Sequence, residues 1–208
     1  MEVAATTRGV EERSLTGERA VRIVEAMRES VAEVGIAGST FERVARKAAV
    51  SRGLLHYYFG TKERLLVEVI RRDTDLRIEA LGAAMRAADT VDGLIGAMSE
   101  TFERTLREQT GYVYMVSELY VAGRNSPELQ RELGALYSRA RAEFAEILRE
   151  KERDGVVALR FEAEATIAYL FGAGDGLTVQ RLTDSTLDVL STTEAGLGVA
   201  RWLLSTDA

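Results

Sequence analysis

Apolar positions recur at helical spacing almost from the start of the chain. Ala20, Ile23, Val24, Met27, Val31 and Val34 lie three or four residues apart and Gly35 closes the run, which predicts a first helix beginning near Thr16. A shorter stripe follows in Phe41, Val44, Ala45 and Ala48. Ahead of it, Ser39 and Glu42 have the spacing of a capping box, with Thr40 opening the helix close behind. The tripeptide Ala49-Val50-Ser51 then predicts a tight connection into a third helix, with Ser51 as its N-cap.

On a helical wheel, the residues after Ser51 divide into two sets. Leu55, Tyr58 and Phe59 share one face; Gly53, His56 and Tyr57 share the opposite one, with Arg52 and Leu54 at its edges. The first face is suited to packing inward, and Tyr58 belongs with it. The second is polar, aromatic and free of bulk at Gly53. Two short helices joined by a three-residue turn predict a helix-turn-helix, whose second helix enters the DNA major groove by its N-terminal residues.

Gly60-Thr61 ends the third helix, and a long one starts at Lys62, carrying Leu65, Leu66, Val69, Ile70 and Leu76. Further helices are predicted at residues 91–108, 112–124, 126–153, 162–183 and 192–204. Gly111, Asn125-Ser126-Pro127 and Asp154-Gly155 punctuate them, with the only proline at a first-turn position. No strand pattern of useful length, internal repeat or low-complexity tract interrupts the series. The fold class is all-α, with a three-helix DNA-binding domain at residues 16–62 and a larger helical domain at 63–208. Residues 1–15 have no period and read as a mobile arm.

Composition narrows the chemistry. The 208 residues are 46% hydrophobic and 29% charged, enough for a sizeable core under a polar surface. With no cysteine and one histidine, disulfides, thiolate nucleophiles, thiolate metal sites and the common zinc-ligand sets are excluded, and no metal or cofactor is expected. No apolar run is long enough to span a bilayer and the first residues lack the features of a signal peptide, so a cytoplasmic protein with no membrane partner is expected. Glu100, Glu103, Glu118 and Asp175 supply carboxylates without a catalytic constellation around them. The run Gly172-Ala-Gly-Asp-Gly176 has no strand before it and reads as small residues for close helix packing.

Charge is unevenly spread. The net charge is −6, yet residues 1–62 hold 10 Lys and Arg against 8 Asp and Glu. Within residues 40–64, Arg43, Arg46, Lys47, Arg52, Lys62 and Arg64 face only Glu42 and Glu63. The pattern is a basic N-terminal module joined to an acidic body, so binding to nucleic acid would be local.

The stretch from Thr40 to Leu66, TFERVARKAAVSRGLLHYYFGTKERLL, resembles the TetR family of bacterial transcription regulators. It carries that family's order of Thr, a Val-Ala pair, a short turn with Ser, an aromatic cluster ending in Phe, then Lys and Leu. One departure is His56, where many members carry Tyr. The resemblance implies a homodimeric, ligand-responsive repressor on double-stranded, palindromic operator DNA, with a C-terminal domain that binds a small-molecule effector and dimerises through the last two helices. By position, it implies phosphate contacts at Thr40 and Lys62, groove-facing readers at Arg52, Gly53 and His56 after the Ser51 cap, and a backbone contact at Tyr57. The segments at 115–129 and 168–180 look like stretches common in these regulators, and Leu197, Ala200, Leu203 and Leu204 give the last helix an apolar stripe.

For an effector pocket, Phe102, Tyr112, Met115, Glu118, Tyr120, Tyr137, Phe144 and Phe171 come from several helices and include large adaptable side chains. They serve equally well as core. Glu118 would favour a cationic ligand. Two rival readings, an all-α enzyme or carrier and a purely structural helical dimer, lack respectively a reactive group and a use for the motif.

Overall fold

The computed structural model describes residues 17–108 and 110–205. The N-terminal arm and the start proposed at Thr16 lie outside them. The described residues form α1 (Glu18–Gly38), α2 (Phe41–Lys47), α3 (Arg52–Phe59), α4 (Lys62–Ala87), α5 (Val91–Glu108), α6 (Thr110–Gly123), α7 (Pro127–Arg153), α8 (Ala163–Thr183) and α9 (Val189–Leu204), with no strand among them. The chain forms two compact units. One runs through Asp73 and includes Gly111–Leu133; the other comprises Thr74–Thr110 and the chain from Gly134.

In the first unit the predicted stripes are the core. Ile23, Val24, Met27 and Val31 of α1, Phe41, Val44 and Ala45 of α2, and Leu55 and Phe59 of α3 are all buried. Each of these side chains larger than alanine stabilises the fold by roughly 1.5–3 kcal/mol. Val34, expected in the α1 stripe, is exposed. The next residue, Gly35, has φ +70° and ψ 174°, which breaks the helix before one last turn to Gly38, so the packed stripe ends at Val31.

The capping box expected at Ser39 is absent. Thr40 is the N-cap of α2, its hydroxyl oxygen accepting from Arg43 N–H at 3.2 Å. Ser39 is buried instead, its hydroxyl donating to the Gly35 carbonyl at 2.8 Å and lying 2.9 Å from the Ser30 hydroxyl. The broken end of α1 needed a donor more than α2 needed a second cap.

Along α4, Leu65, Leu66, Val69 and Ile70 are buried as expected, whereas Leu76 is 65% exposed. Gly111, predicted to separate two helices, lies in the first turn of α6. Pro127 opens α7, and the Ser126 hydroxyl accepts from Leu129 N–H at 3.2 Å.

The second unit is built on Met85, Leu94, Ile95, Phe144, Ile147, Leu148, Ile167, Ala200 and Leu204. Its helix ends are closed by polar groups that the sequence pattern does not reveal. Lys151 is buried and its ammonium donates to the carbonyls of Arg86 and Ala88, both at 2.6 Å, at the end of α4. The segment after α7 runs along the end of α9, where Ala158 N–H and Arg160 N–H donate to the carbonyls of Leu204 and Leu203. The α9 helix starts three residues earlier than predicted because Asp188 caps it, accepting from Ser191 N–H at 3.2 Å.

Candidate nucleic-acid interface

The turn between α2 and α3 is Ala48-Ala49-Val50-Ser51. Ala49 has φ +53°, a left-handed conformation that lets the chain reverse, and Val50 N–H returns to the Ala45 carbonyl at 3.0 Å. Ser51 caps α3, its hydroxyl oxygen accepting from Leu54 N–H at 3.3 Å. At the other end, Gly60 with φ +68° closes the helix by donating its N–H to the His56 carbonyl. Both stops fall where the sequence marks them.

The two faces of α3 separate as the wheel predicts. Leu55 and Phe59 are buried and Tyr58 is half-buried, while Ser51, Arg52, Gly53, His56 and Tyr57 are exposed. A methyl group placed on Gly53 would meet only the Ser51 hydroxyl, at 3.9 Å. Tyr57, 67% exposed, stands edge-on to Tyr58. His56 is less free than its exposure suggests: its ring is edge-on to Phe41 and its Nδ1 lies 3.1 Å from the Gly60 carbonyl oxygen. Its Nε2 edge is what remains for another molecule.

Ion pairing changes the meaning of the local positive charge. Lys47 reaches both Glu29 and Glu33, Arg43 reaches Glu33, Arg46 lies 3.5 Å from Glu42, and Arg64 pairs with Glu128 at 3.0 Å. The hydrogen bonds from Lys47, then from Arg43, hold the Glu33 carboxyl below its usual pKa. Lys62 is half-buried and donates to the Ile36 carbonyl. Of the six cations in residues 40–64, Arg52 alone makes neither kind of bond among the described residues. It sits on the first turn of α3. Thr40 uses its oxygen as a cap and keeps its hydroxyl hydrogen available for a phosphate oxygen.

The aromatics proposed for an effector fall in two places. Tyr112, Met115, Glu118 and Tyr120 are on α6, in the first unit: Met115 is buried, Tyr112 half-buried and Tyr120 exposed. Glu118 accepts from the Ile36 backbone N–H at 2.8 Å, near the end of α1. The other four lie in the second unit around one turn of α8. Phe171 stacks edge-on with Phe144 of α7, with 5.5 Å between centroids. Gly174 lies against Phe102 of α5, and Tyr137 of α7 donates to Asp175 at 3.2 Å.

Asp175 is the carboxylate at this turn, a residue the spacing of aromatics passed over. Asp175 keeps an exposed surface, yet desolvation of its carboxyl by neighbouring atoms pushes its pKa above the ordinary value and the Tyr137 hydroxyl draws it part of the way back. It has no basic partner among the described residues. A crevice lined by Phe102, Leu106, Leu177, Leu187, Val189, Thr192 and Thr193 is too narrow for a water molecule. A separate groove of about 420 Å³ between α4 and α7 is bridged by the ion pairs Asp75–Arg139 and Arg86–Glu143.

The small residues of α8 pack more loosely than expected. Only Gly174 is in contact, whereas Gly172 and Gly176 face open space. The α9 stripe of Ala200, Leu203 and Leu204 is buried in its own unit, with Leu197 packed beside it, so it is core. On these two helices the exposed large apolar side chains are Tyr169 and Val179 of α8 and Leu190, Val199 and Trp202 of α9.

Residues 23–69 match the family described as bacterial regulatory proteins, tetR family, and residues 89–204 match the tetracyclin repressor-like C-terminal domain. An HTH-type transcriptional regulator BetI from Agrobacterium fabrum is 33% identical over 119 residues, 56% of either chain. The chain thus aligns with about half the length of the curated relatives it matches. Among solved structures, the regulator FadR from Bacillus subtilis in complex with stearoyl-CoA has a TM-score of 0.70 at 20% identity, covering 86% of this chain and 96% of its own. A transcriptional regulator from Saccharomonospora viridis in complex with choline has a TM-score of 0.68 at 19% identity, covering 87% and 92%. No described helix is long and apolar enough to cross a membrane. With both of its parts matched and an exposed, capped recognition helix, the chain belongs to the TetR family of transcription regulators and carries that family's DNA-binding helix-turn-helix.

Proposed function

We propose that the protein is a cytoplasmic homodimeric repressor that holds a palindromic operator through two copies of α3 and lets it go when a small-molecule effector binds. One observation carries the reading: Arg52, Gly53 and Tyr57 form an exposed face on a helix capped at both ends, and Arg52 has no partner among the described residues. An arginine at that position can donate two hydrogen bonds to a guanine edge. Thr40 and the remaining donor capacity of Lys62 serve phosphates, which fix register without reading sequence. Exposed apolar side chains on α8 and α9, among them Tyr169, Val179, Val199 and Trp202, are available to a second copy, and two-fold symmetry matches two operator half-sites.

For the effector, the chemistry of the α8 turn favours a cation with an apolar body. Asp175 offers an exposed carboxylate lacking a cationic partner among the described residues, and the half-buried Phe102 and Phe171 flank the same turn of α8. The structurally similar regulators were crystallised with molecules as different as choline and stearoyl-CoA. Ligand class therefore follows from this chain's own side chains. A ligand that binds one body conformation better than another shifts the dimer away from the DNA-binding state.

The decisive experiment measures binding of the purified protein to promoter fragments near its own gene at several salt concentrations. Sequence-specific binding that weakens steeply with salt supports the repressor. Salt-insensitive or absent binding leaves the helix-turn-helix without a function and rejects it.

A further inference from the structure

We infer that Glu118 is a positioning residue for DNA reading: from α6 it fixes the corner between α1 and α2 that carries Thr40. The inference rests on the operator-binding function proposed above.

The corner has an unmet need. At Gly35 the backbone turns to φ +70° and ψ 174°, so the helical hydrogen-bond ladder of α1 breaks there. Three side chains from three different elements bind the peptide groups so released. Ser39 donates to the Gly35 carbonyl at 2.8 Å, the Glu118 carboxylate accepts from Ile36 N–H at 2.8 Å, and the Lys62 ammonium donates to the Ile36 carbonyl. A methyl group on Gly35 would sit 3.3 Å from the other Glu118 oxygen, so the carboxylate lies directly over this peptide.

Only Glu118 comes from outside the DNA-binding helices and the start of α4. It is 82 positions away from Ile36 in sequence. The chain enters the first unit at Gly111, the second residue of α6, and leaves it after Leu133. The α6 helix is thus contributed to the DNA-binding unit by a segment flanked on both sides by the second unit. Displacement of α6 would release Ile36 N–H, four residues before Thr40 caps α2 and orients its hydroxyl.

The test compares full-length wild type, Glu118→Ala and Glu118→Gln on a duplex selected by the wild-type protein from a random pool. Hydrogen exchange at the Ile36 amide is measured in parallel. Glutamine keeps a neutral oxygen acceptor; alanine has none. Expected results for Glu118→Ala are Ile36 exchange at least about tenfold faster and a loss of duplex affinity on the order of tenfold. Exchange within α4 and the melting midpoint should stay near wild type, and Glu118→Gln should recover most of both losses. Unchanged Ile36 exchange in Glu118→Ala overturns the inference, because the bond would then not exist. Unchanged affinity alongside fast exchange overturns it too, because the bond would hold the corner without positioning it. If Glu118→Ala does not fold, Glu118→Gln decides alone: near-wild-type Ile36 protection and affinity support the inference, and loss of either overturns it. Failure of the wild type to select any duplex is a separate outcome that removes the operator-binding function itself, and this inference with it.

Discussion

The hydroxyl of Tyr137 donates to the carboxylate of Asp175 at 3.2 Å, and that neutral bond is the only partner Asp175 has among the described hydrogen bonds and ion pairs. Desolvation of its carboxyl raises the Asp175 pKa, so the ionised carboxylate costs folding stability. The sign follows from the direction of the shift. The stabilising contribution of the protonated form is fully present below the ordinary aspartate value and is lost as pH rises through the raised one.

Affinity for a quaternary ammonium ligand will move the opposite way, increasing as Asp175 ionises. Titration calorimetry with choline or a tetraalkylammonium ion is expected to show affinity falling at a higher pH than an ordinary aspartate would give. Asp175→Asn should flatten that profile, weaken the cation at neutral pH by about tenfold, and raise the melting midpoint there. A neutral isostere that binds as well as the cation would remove Asp175 from ligand recognition.

Replacing Gly53 by alanine separates folding from reading. Nothing but the Ser51 hydroxyl is near the added methyl, and alanine favours helix over glycine by about 0.5–1 kcal/mol. Denaturant unfolding should show equal or greater stability. Duplex affinity should nevertheless drop by about tenfold or more as the methyl keeps the helix from the base edges, which a fluorescence-anisotropy titration would show.

Arg52 and Lys62 should fail differently. Arg52→Ala removes no ion pair among the described residues, so stability should hold while discrimination at one base pair falls by about 1–3 kcal/mol. Lys62→Ala should weaken all duplexes by a similar factor and lower the salt slope by about 1. It should also cost up to about 1 kcal/mol of stability, since the Ile36 carbonyl keeps only the Ser39 N–H as a donor. Competition binding across single-base variants distinguishes the two patterns.

Ala49 holds a left-handed conformation that costs an L residue about 1–2 kcal/mol. Glycine adopts it freely but loses more entropy on folding. Ala49→Gly is expected to stabilise the protein by about 0.5–1 kcal/mol, with duplex affinity preserved; lower stability on chemical denaturation would show that the turn is held by something other than its backbone.

Most of the secondary structure was legible because helices announce themselves locally. The periods of α1 to α4, the Ser51 cap and the glycines at 35 and 60 act over a few residues. The division of α3 into Leu55 and Phe59 against Gly53 and Tyr57 follows from helical geometry alone. Separating the exposed face of α3 from the buried one needed nothing more.

Tertiary structure decided which polar groups meet. Ser39 left its expected capping role because the broken end of α1 lay within reach, and four of the six local cations were drawn onto carboxylates from α1, α2 and α7. Glu118 went to a backbone amide 82 residues away, while Asp175, unremarkable in sequence, became the carboxylate among the aromatics. Periodicity specifies the face on which a residue lies. A hydrogen bond also depends on the distance to a partner from another element, and that distance exists only once the helices have packed.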